Sequence, residues 1–379
     1  MPWQEKGILK LRYDFVQRVY SGEKIAPLCR EYGISRPTAY LWLKRYKESP
    51  GVDSLRNRSH RPHASPGKID DALEERICQL REQYGWAGKK LQILLERENR
   101  TVGVATINRV IKRNGLLQEE DCHKPSLQRF ERKHPNELWQ MDFKGPMSRD
   151  DAKCEPLTVL DDHSRYALGV VPVRTKQTPD IQRAFIEIFS KYGVPEAILT
   201  DHGVPWWNTA SVQGLSKFSV WLMNQDLKLI FGAVRHPQTQ GKIERFHRTL
   251  RHAVSRRGFP TKFSQWKPLL KQITYEYNFI RPHESLQMNV PSELYCASSK
   301  KYNPKPRAFD YGDEMKVKKV DSHGMIYENG KRLFVSHALV GQYVATRSIE
   351  NLMLVTFRNS TLREIDFNTT KTKRLEPFF

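Results

Sequence analysis

The chain has 379 residues, more than one hydrophobic core usually organises, and a scale of roughly one domain per 150 residues predicts two to four domains. A hydrophobic fraction of 39% with 17 Phe, 15 Tyr and 8 Trp excludes wholesale disorder, while 63 Lys and Arg against 42 Asp and Glu, a formal charge of +21, point to a polyanionic partner, nucleic acid first. There is no apolar N-terminal stretch, no run of ~18 uncharged apolar residues and no C-x-x-C pair among the five cysteines, so the expectation is an intracellular protein with reduced thiols and neither membrane span nor Cys-rich zinc site.

From about Tyr13 to Lys47 the apolar spacing predicts three short helices. Between the last two, Tyr32-Gly33-Ile34-Ser35 supplies a left-handed turn residue, a core plug and a cap for a helix opening at Arg36-Pro37, the pattern of a helix-turn-helix. Its third helix is expected to expose Arg36, Thr38, Trp42, Lys44 and Arg45 to DNA while Tyr40, Leu43 and Tyr46 face inward. Residues 49–67, rich in Pro, Ser, Gly and Arg, read as an extended basic linker; His60 and His63 within it lack a Cys partner that would make them zinc ligands.

A second helical unit is expected over 68–118, with Ile69, Leu73, Ile77 and Leu80, then Leu91, Leu94 and Leu95, then Val104, Ile107, Val110 and Ile111 at helical spacing. Its last helix carries Thr106, Asn108, Arg109, Lys112 and Arg113, candidates for a second set of DNA contacts. After a charged linker over 119–135 the pattern turns to short β-like runs at Leu138–Phe143, Leu157–Leu160, Ala167–Val173 and Ala197–Thr200, with helical spans near 180–192, 214–224 and 242–256. A mixed sheet flanked by helices over 136–298 is the economical arrangement. The remaining residues, 299–379, hold Gly-punctuated β-runs that read as a small antiparallel barrel with DNA-facing lysines.

Three carboxylates occupy places suited to display: Asp142 interrupts an apolar strand, Asp201 ends one, and Glu244 falls early in a helix that turns Ile243, Phe246 and Leu250 inward. Clustered carboxylates in a basic chain suit phosphoryl transfer, because Mg²⁺ takes hard oxygen ligands while keeping positions open. Around Glu244, Gln240, Lys242, Arg245, His247 and Arg248 place donors and positive charge beside a DNA groove.

The segments WQMDF, LTVLDDHSRY, AILTDHG, HPQTQGKIERFHRTL and YNFIRPHESL, in this order over 136–295, resemble the integrase core of DDE-type insertion-sequence transposases and retroviral integrases. The resemblance implies a ribonuclease H-like core in which Asp142, Asp201 and Glu244 hold two Mg²⁺ ions, or Mn²⁺ in their place, for strand cleavage and strand transfer. It further implies double-stranded DNA partners (the element's terminal inverted repeats and a target), at least a homodimer, and a nucleoid-associated bacterial-type setting. Asp161 and Asp162 match the DDHSR element rather than the trio. Two departures stand out: the interval from Asp201 to Glu244 exceeds the commonest family spacing, with the extra length expected near Trp206-Trp207-Asn208, and His202 replaces the usual Asn, read as an exposed-loop residue. The N-terminal helical units differ from the zinc module of retroviral integrases, so no zinc is expected. A transposase-derived regulator that only binds DNA, and a nuclease that cuts without joining, remain open alternatives.

Overall fold

In the computed structural model, which describes residues 5–57, 69–117, 131–147, 150–208, 214–232, 241–366 and 372–374, the chain divides into two compact units, Met1–Asp70 and Asp71–Phe379. His60, His63, Cys122 and Gln240 fall outside the described residues. Three helices form the first unit: α1 Glu5–Tyr20, α2 Ile25–Glu31 and α3 Arg36–Glu48. Ser35 caps α3 as expected, its hydroxyl accepting the Thr38 N–H, and Gly33 takes the left-handed turn at φ 62.

The inner face of α3 is Ala39 and Trp42 with half-buried Leu43 and Tyr46, the i, i+3, i+4, i+7 stripe of one helix face. Tyr40 lies off that stripe and is 58% exposed, whereas Trp42 is 9% exposed, so the expected orientations of these two aromatics are reversed. Trp42 is a core residue rather than a DNA contact, its ring flanked by the guanidinium groups of Arg12 at 3.8 Å and Arg45 at 4.7 Å.

The basic linker also begins later than its composition suggests. Val52–Leu55 forms a short 3-10 turn that buries Leu55 completely among Phe15, Val16 and Leu28, and Arg12 Nη1 donates to the Leu55 carbonyl at 2.7 Å. One leucine is enough to fold this stretch back, because it closes the helix triplet. Leu55→Ala is expected to cost about 2–5 kcal/mol. Calorimetry of the full chain checks this as a lower melting transition for the first unit.

The second unit opens with another triplet, α4 Asp71–Tyr84, α5 Gly88–Arg97 and α6 Val104–Arg113, packed through Ile77, Leu80, Leu91, Leu95, Ile107, Val110 and Ile111. On α6, Asn108, Arg109 and Lys112 are exposed, Thr106 is half-buried and Arg113 pairs with Glu74.

Next come β1 Trp139–Phe143, β2 Leu157–Asp161, β3 Ala167–Val171, α7 Thr178–Tyr192, β4 Ala197–Thr200, β5 Trp207–Asn208, β6 Gly214–Leu215, α8 Lys217–Met223, β7 Lys228–Phe231, α9 Gly241–Arg257, α10 Trp266–Tyr275 and α11 Pro291–Leu294. The main sheet has the order β3-β2-β1-β4-β7: an antiparallel meander at one side, with β4 parallel to β1 and β7 parallel to β4. Alternation along β1 sends Trp139 and Met141 to the α7 face, where Trp139 lies 6.0 Å from Phe189, and Gln140 and Asp142 to the α9 face. The pair β5–β6 occupies the region where extra length was expected. Strand β7 and helix α10 had no counterpart in the sequence pattern: β7 is a four-residue run, and Pro268 sits in the first turn of α10, where its missing N–H breaks no helical bond.

The last strands are β8 Lys316–Lys319, β9 Met325–Glu328, β10 Lys331–Phe334, β11 Tyr343–Ile349, β12 Leu352–Phe357, β13 Ser360–Asp366 and β14 Thr372–Arg374. They form an antiparallel sheet β14-β13-β12-β11-β8 and a separate hairpin β9–β10 turning at Asn329-Gly330, both at positive φ. Among the described residues no pairing closes these into the expected barrel, since β8 and β14 are the edges of the five-stranded sheet. Lys316, exposed, and Lys318, half-buried, pair with Glu328 at 3.6 and 2.5 Å. No helix among the described residues is long and apolar enough to cross a membrane.

Candidate active site

Parallel pairing matches Trp139 with Ile198 and Gln140 with Leu199; the same register carried two residues further sets Asp142 beside Asp201 at the ends of adjacent strands. Asp142 is half-buried, and its Oδ1 accepts the Phe143 N–H at 2.7 Å. Burial first, and then the charges of Asp201 and Glu244, push its carboxyl up to about 7, while Lys176 works against the shift. The charges of Asp201 and Glu244 therefore both reach Asp142. Among the described residues, no group of three His, Cys, Asp or Glu side chains is already arranged as a metal cage.

Asp201 is exposed and held by its own loop: its Oδ1 accepts the Gly203 N–H at 3.0 Å and Trp206 Nε1–H at 2.6 Å. Trp206 is buried and stacks on Phe143, ring centroids 5.0 Å apart, so one indole ties the loop after β4 to the end of β1. His202 is not an isolated loop residue; it packs edge-on against Trp207 at 4.2 Å and beside Phe231 at 5.6 Å.

Glu244 is exposed in the first turn of α9, with Ile243, Phe246 and Leu250 buried beneath it as expected. A buried polar clamp sets where α9 begins. Asp162, fully buried, accepts Gln140 Nε2 at 2.8 Å, the Arg132 N–H at 2.9 Å and Lys242 Nζ at 2.6 Å, and Gln140 Oε1 takes the Ile243 N–H at 3.3 Å. Lys242 thus points into the protein rather than to a DNA groove; burial pulls its ammonium down to about 8 even with Asp162 beside it. Asp161 is equally buried and accepts from Asn136 N, Ser164 N and Ser164 Oγ at 2.7–2.8 Å, locking the turn after β2. Both acids brace the sheet, and the site owes its shape to them.

His247, one turn beyond Glu244 and expected to face DNA, is instead 7% exposed. Thr158 uses its single hydroxyl hydrogen on the Asp142 carbonyl at 2.9 Å, so the 2.7 Å contact from His247 Nε2 must be a donation to Thr158 Oγ1. That tautomer turns the Nδ1 lone pair toward Asp142 Oδ2, 3.8 Å away. Burial holds the imidazole down to about 4, so the contact is not an ion pair. Arg245 and Arg248 are exposed on α9, and on α3 Arg36 and Lys44 are exposed while Thr38 and Arg45 are half-buried. The spacing of Glu244 and His247 was the available signal that both share a helix face. Nothing local marked Gln140, Asp162 or Trp206 as their supports.

Two models of the integrase core domain match residues 132–237 and 225–291, a helix-turn-helix domain matches 11–63, and a homeodomain-like domain matches 38–111. An uncharacterized insertion-element protein of Burkholderia multivorans is 24% identical over 261 residues, covering 65% of this chain and 88% of its own length. The Gag-Pol polyprotein of baboon endogenous virus is 22% identical over 233 residues, or 59% of this chain, which spans only 13% of that polyprotein. The magnesium-bound catalytic core of HTLV-2 integrase aligns at a TM-score of 0.33 and 15% identity, over 43% of this chain and 97% of that one. The family matches and the sheet define the class: an integrase core with helix-turn-helix units ahead of it. Within that class, the relatives include insertion-element proteins of Burkholderia multivorans and of Xanthomonas euvesicatoria, the latter 22% identical over 72% of this chain and 78% of its own length.

Proposed function

We propose that this chain binds the terminal inverted repeats of its own mobile element and catalyses divalent-metal-dependent cleavage and transfer of DNA strands. The observation that carries the reading is the parallel pairing of β1 with β4, whose register, carried two residues on, brings Asp142 level with Asp201 just past the end of β4, with Asp201 and Glu244 both acting on the Asp142 carboxyl. A carboxylate reached by the charges of two others fits hard divalent cations by donor chemistry, and Asp142, Asp201 and Glu244 are the residues that would hold them. Two Mg²⁺ ions, or Mn²⁺, would supply Lewis-acid activation of water and then of a 3′-hydroxyl. The chain's own contribution is placement: Trp206 holds Asp201, the Asp162–Lys242–Gln140 clamp seats the helix bearing Glu244, and Thr158 and His247 pack behind Asp142.

In this reading residues 1–48 and 68–118 recognise the ends, 136–298 is the catalytic core, and 299–379 is a C-terminal antiparallel β module. Arg36, Lys44, Arg109, Lys112, Arg245 and Arg248 are the exposed candidates for DNA contact; two ends held together require at least a dimer. The test is a joining assay with labelled element ends, target plasmid and Mg²⁺ or Mn²⁺. Wild type is expected to give joined products, and Asp201→Asn and Glu244→Gln at least about 10²-fold less. Nicked ends with no joined product would make the chain a nuclease; tight end binding without cutting would make it a regulator.

A further inference from the structure

The segment Arg281-Pro282-His283-Glu284 follows a π turn, Glu276–Ile280, at the end of α10 and meets the α4–α6 triplet. The Arg281 guanidinium lies 5.4 Å from the Trp86 ring, Arg97 Nη1 donates to the Ile280 carbonyl at 3.5 Å, and Arg97 pairs with Glu293 at 3.8 Å. Lys90 lies in the first turn of α5, four residues past Trp86, and the charges of Arg281 and then of Arg245, which is next to Glu244 on α9, both reach it.

None of these three cations hydrogen-bonds through its side chain or pairs with a carboxylate among the described residues. Glu284 is the acid whose charge reaches Lys90, and burial and Arg281 outweigh it, drawing the ammonium down to about 7. His283 supplies no counter-charge. Its ring sits edge-on to Tyr277 at 4.7 Å, stays neutral with burial holding it down to about 3, and buries Nε2 without a partner. Nearby Arg165 is already neutralised by Glu131 at 3.1 Å. Like charges left together and partly desolvated raise the free energy of the folded chain unless an anion joins them.

We propose that Lys90, Arg281 and Arg245 form a phosphate site that holds one backbone phosphodiester of bound DNA between the α4–α6 triplet and the start of α9. Arg281 is backed by Trp86 and offers a planar fork, Lys90 adds a point charge, and Arg245 places the phosphate one residue along α9 from Glu244. The site ties the recognition helices to the core through the DNA itself. It rests on the reading that this chain handles duplex DNA.

The test is duplex binding by fluorescence anisotropy across a salt series with the full chain, wild type against Lys90→Gln, Arg281→Gln and Lys267→Gln. Lys267 is exposed on α10 and reports the loss of any one charge. Lys90→Gln is expected to lower the slope of log K against log [salt] by about one and to weaken binding roughly fivefold to tenfold near 0.1 M salt. Its melting temperature without DNA should equal or exceed that of wild type, because a repelled cation is gone. Arg281→Gln should lower the slope equally; if it misfolds through loss of the Trp86 contact, Lys90→Gln decides alone. A Lys90→Gln slope no lower than that of Lys267→Gln overturns the site. If inorganic phosphate stabilises wild type but not Lys90→Gln while both bind duplex equally, the site takes a free anion and the DNA assignment fails. A wild-type chain with no duplex affinity sinks the functional reading, and the site with it.

Discussion

Asp142→Asn is expected to abolish strand joining, by on the order of 10³ or more, and yet to melt at a higher temperature than wild type in metal-free buffer at pH 8. The two effects come from one cause. Asp142's carboxyl is raised from 3.8 to about 7, by burial foremost and then by Asp201 and Glu244. A carboxyl whose folded value lies above its unfolded value favours the folded state when protonated, so its contribution is fully present below about pH 4 and is lost as pH rises through about 7. Asparagine removes the charge and keeps an oxygen for the Phe143 N–H. The stabilisation should approach its full size above pH 7, up to about 4 kcal/mol at ~1.4 kcal/mol per unit and less where water reaches the group, and vanish near pH 4. Calorimetry across pH checks it, and a variant that melts below wild type at pH 8 would contradict the electrostatic account. Mg²⁺ should raise the melting temperature of wild type and leave that of Asp142→Asn unmoved.

Asp162→Ala should destabilise the chain by about 3–5 kcal/mol, because it strands Lys242 as a buried cation and leaves the Arg132 N–H and Gln140 Nε2 without their acceptor. Loss of joining should follow even though no acid of the trio has changed, since Lys242 and Ile243 define the first turn that carries Glu244. Pairing Asp162→Leu with Lys242→Met should restore most of the stability, as an apolar pair of similar volume replaces two desolvated charges. Urea denaturation of the single and double variants measures this. If the double variant is no more stable than Asp162→Ala, the ion pair is not what holds α9.

Helix α3 and helix α9 show how far local pattern reaches. Ser35 as a cap, Gly33 in the turn and the inward row Ile243, Phe246 and Leu250 follow from chemistry within a few residues, and all were legible. Trp42 was not: an aromatic in a basic helix reads as a groove contact until Arg12, from another helix, is seen against its ring. Composition likewise hid Leu55, because a Ser- and Pro-rich stretch needs only one buried leucine to become part of a core.

What the sequence determined by itself is the succession of elements and the station of each acid: Asp142 in a strand, Asp201 at a strand end, Glu244 in a first helical turn. Those are short-range properties, written in hydrophobic period and turn residues. Only the tertiary structure decided that β1 and β4 pair in the register that aligns Asp142 with Asp201, that Lys242 turns inward to Asp162 across 80 residues of chain, and that His247 faces Thr158 rather than solvent. Strand register and buried polar partners depend on which surfaces meet after the chain collapses, and a residue's own neighbours in sequence carry no record of that choice.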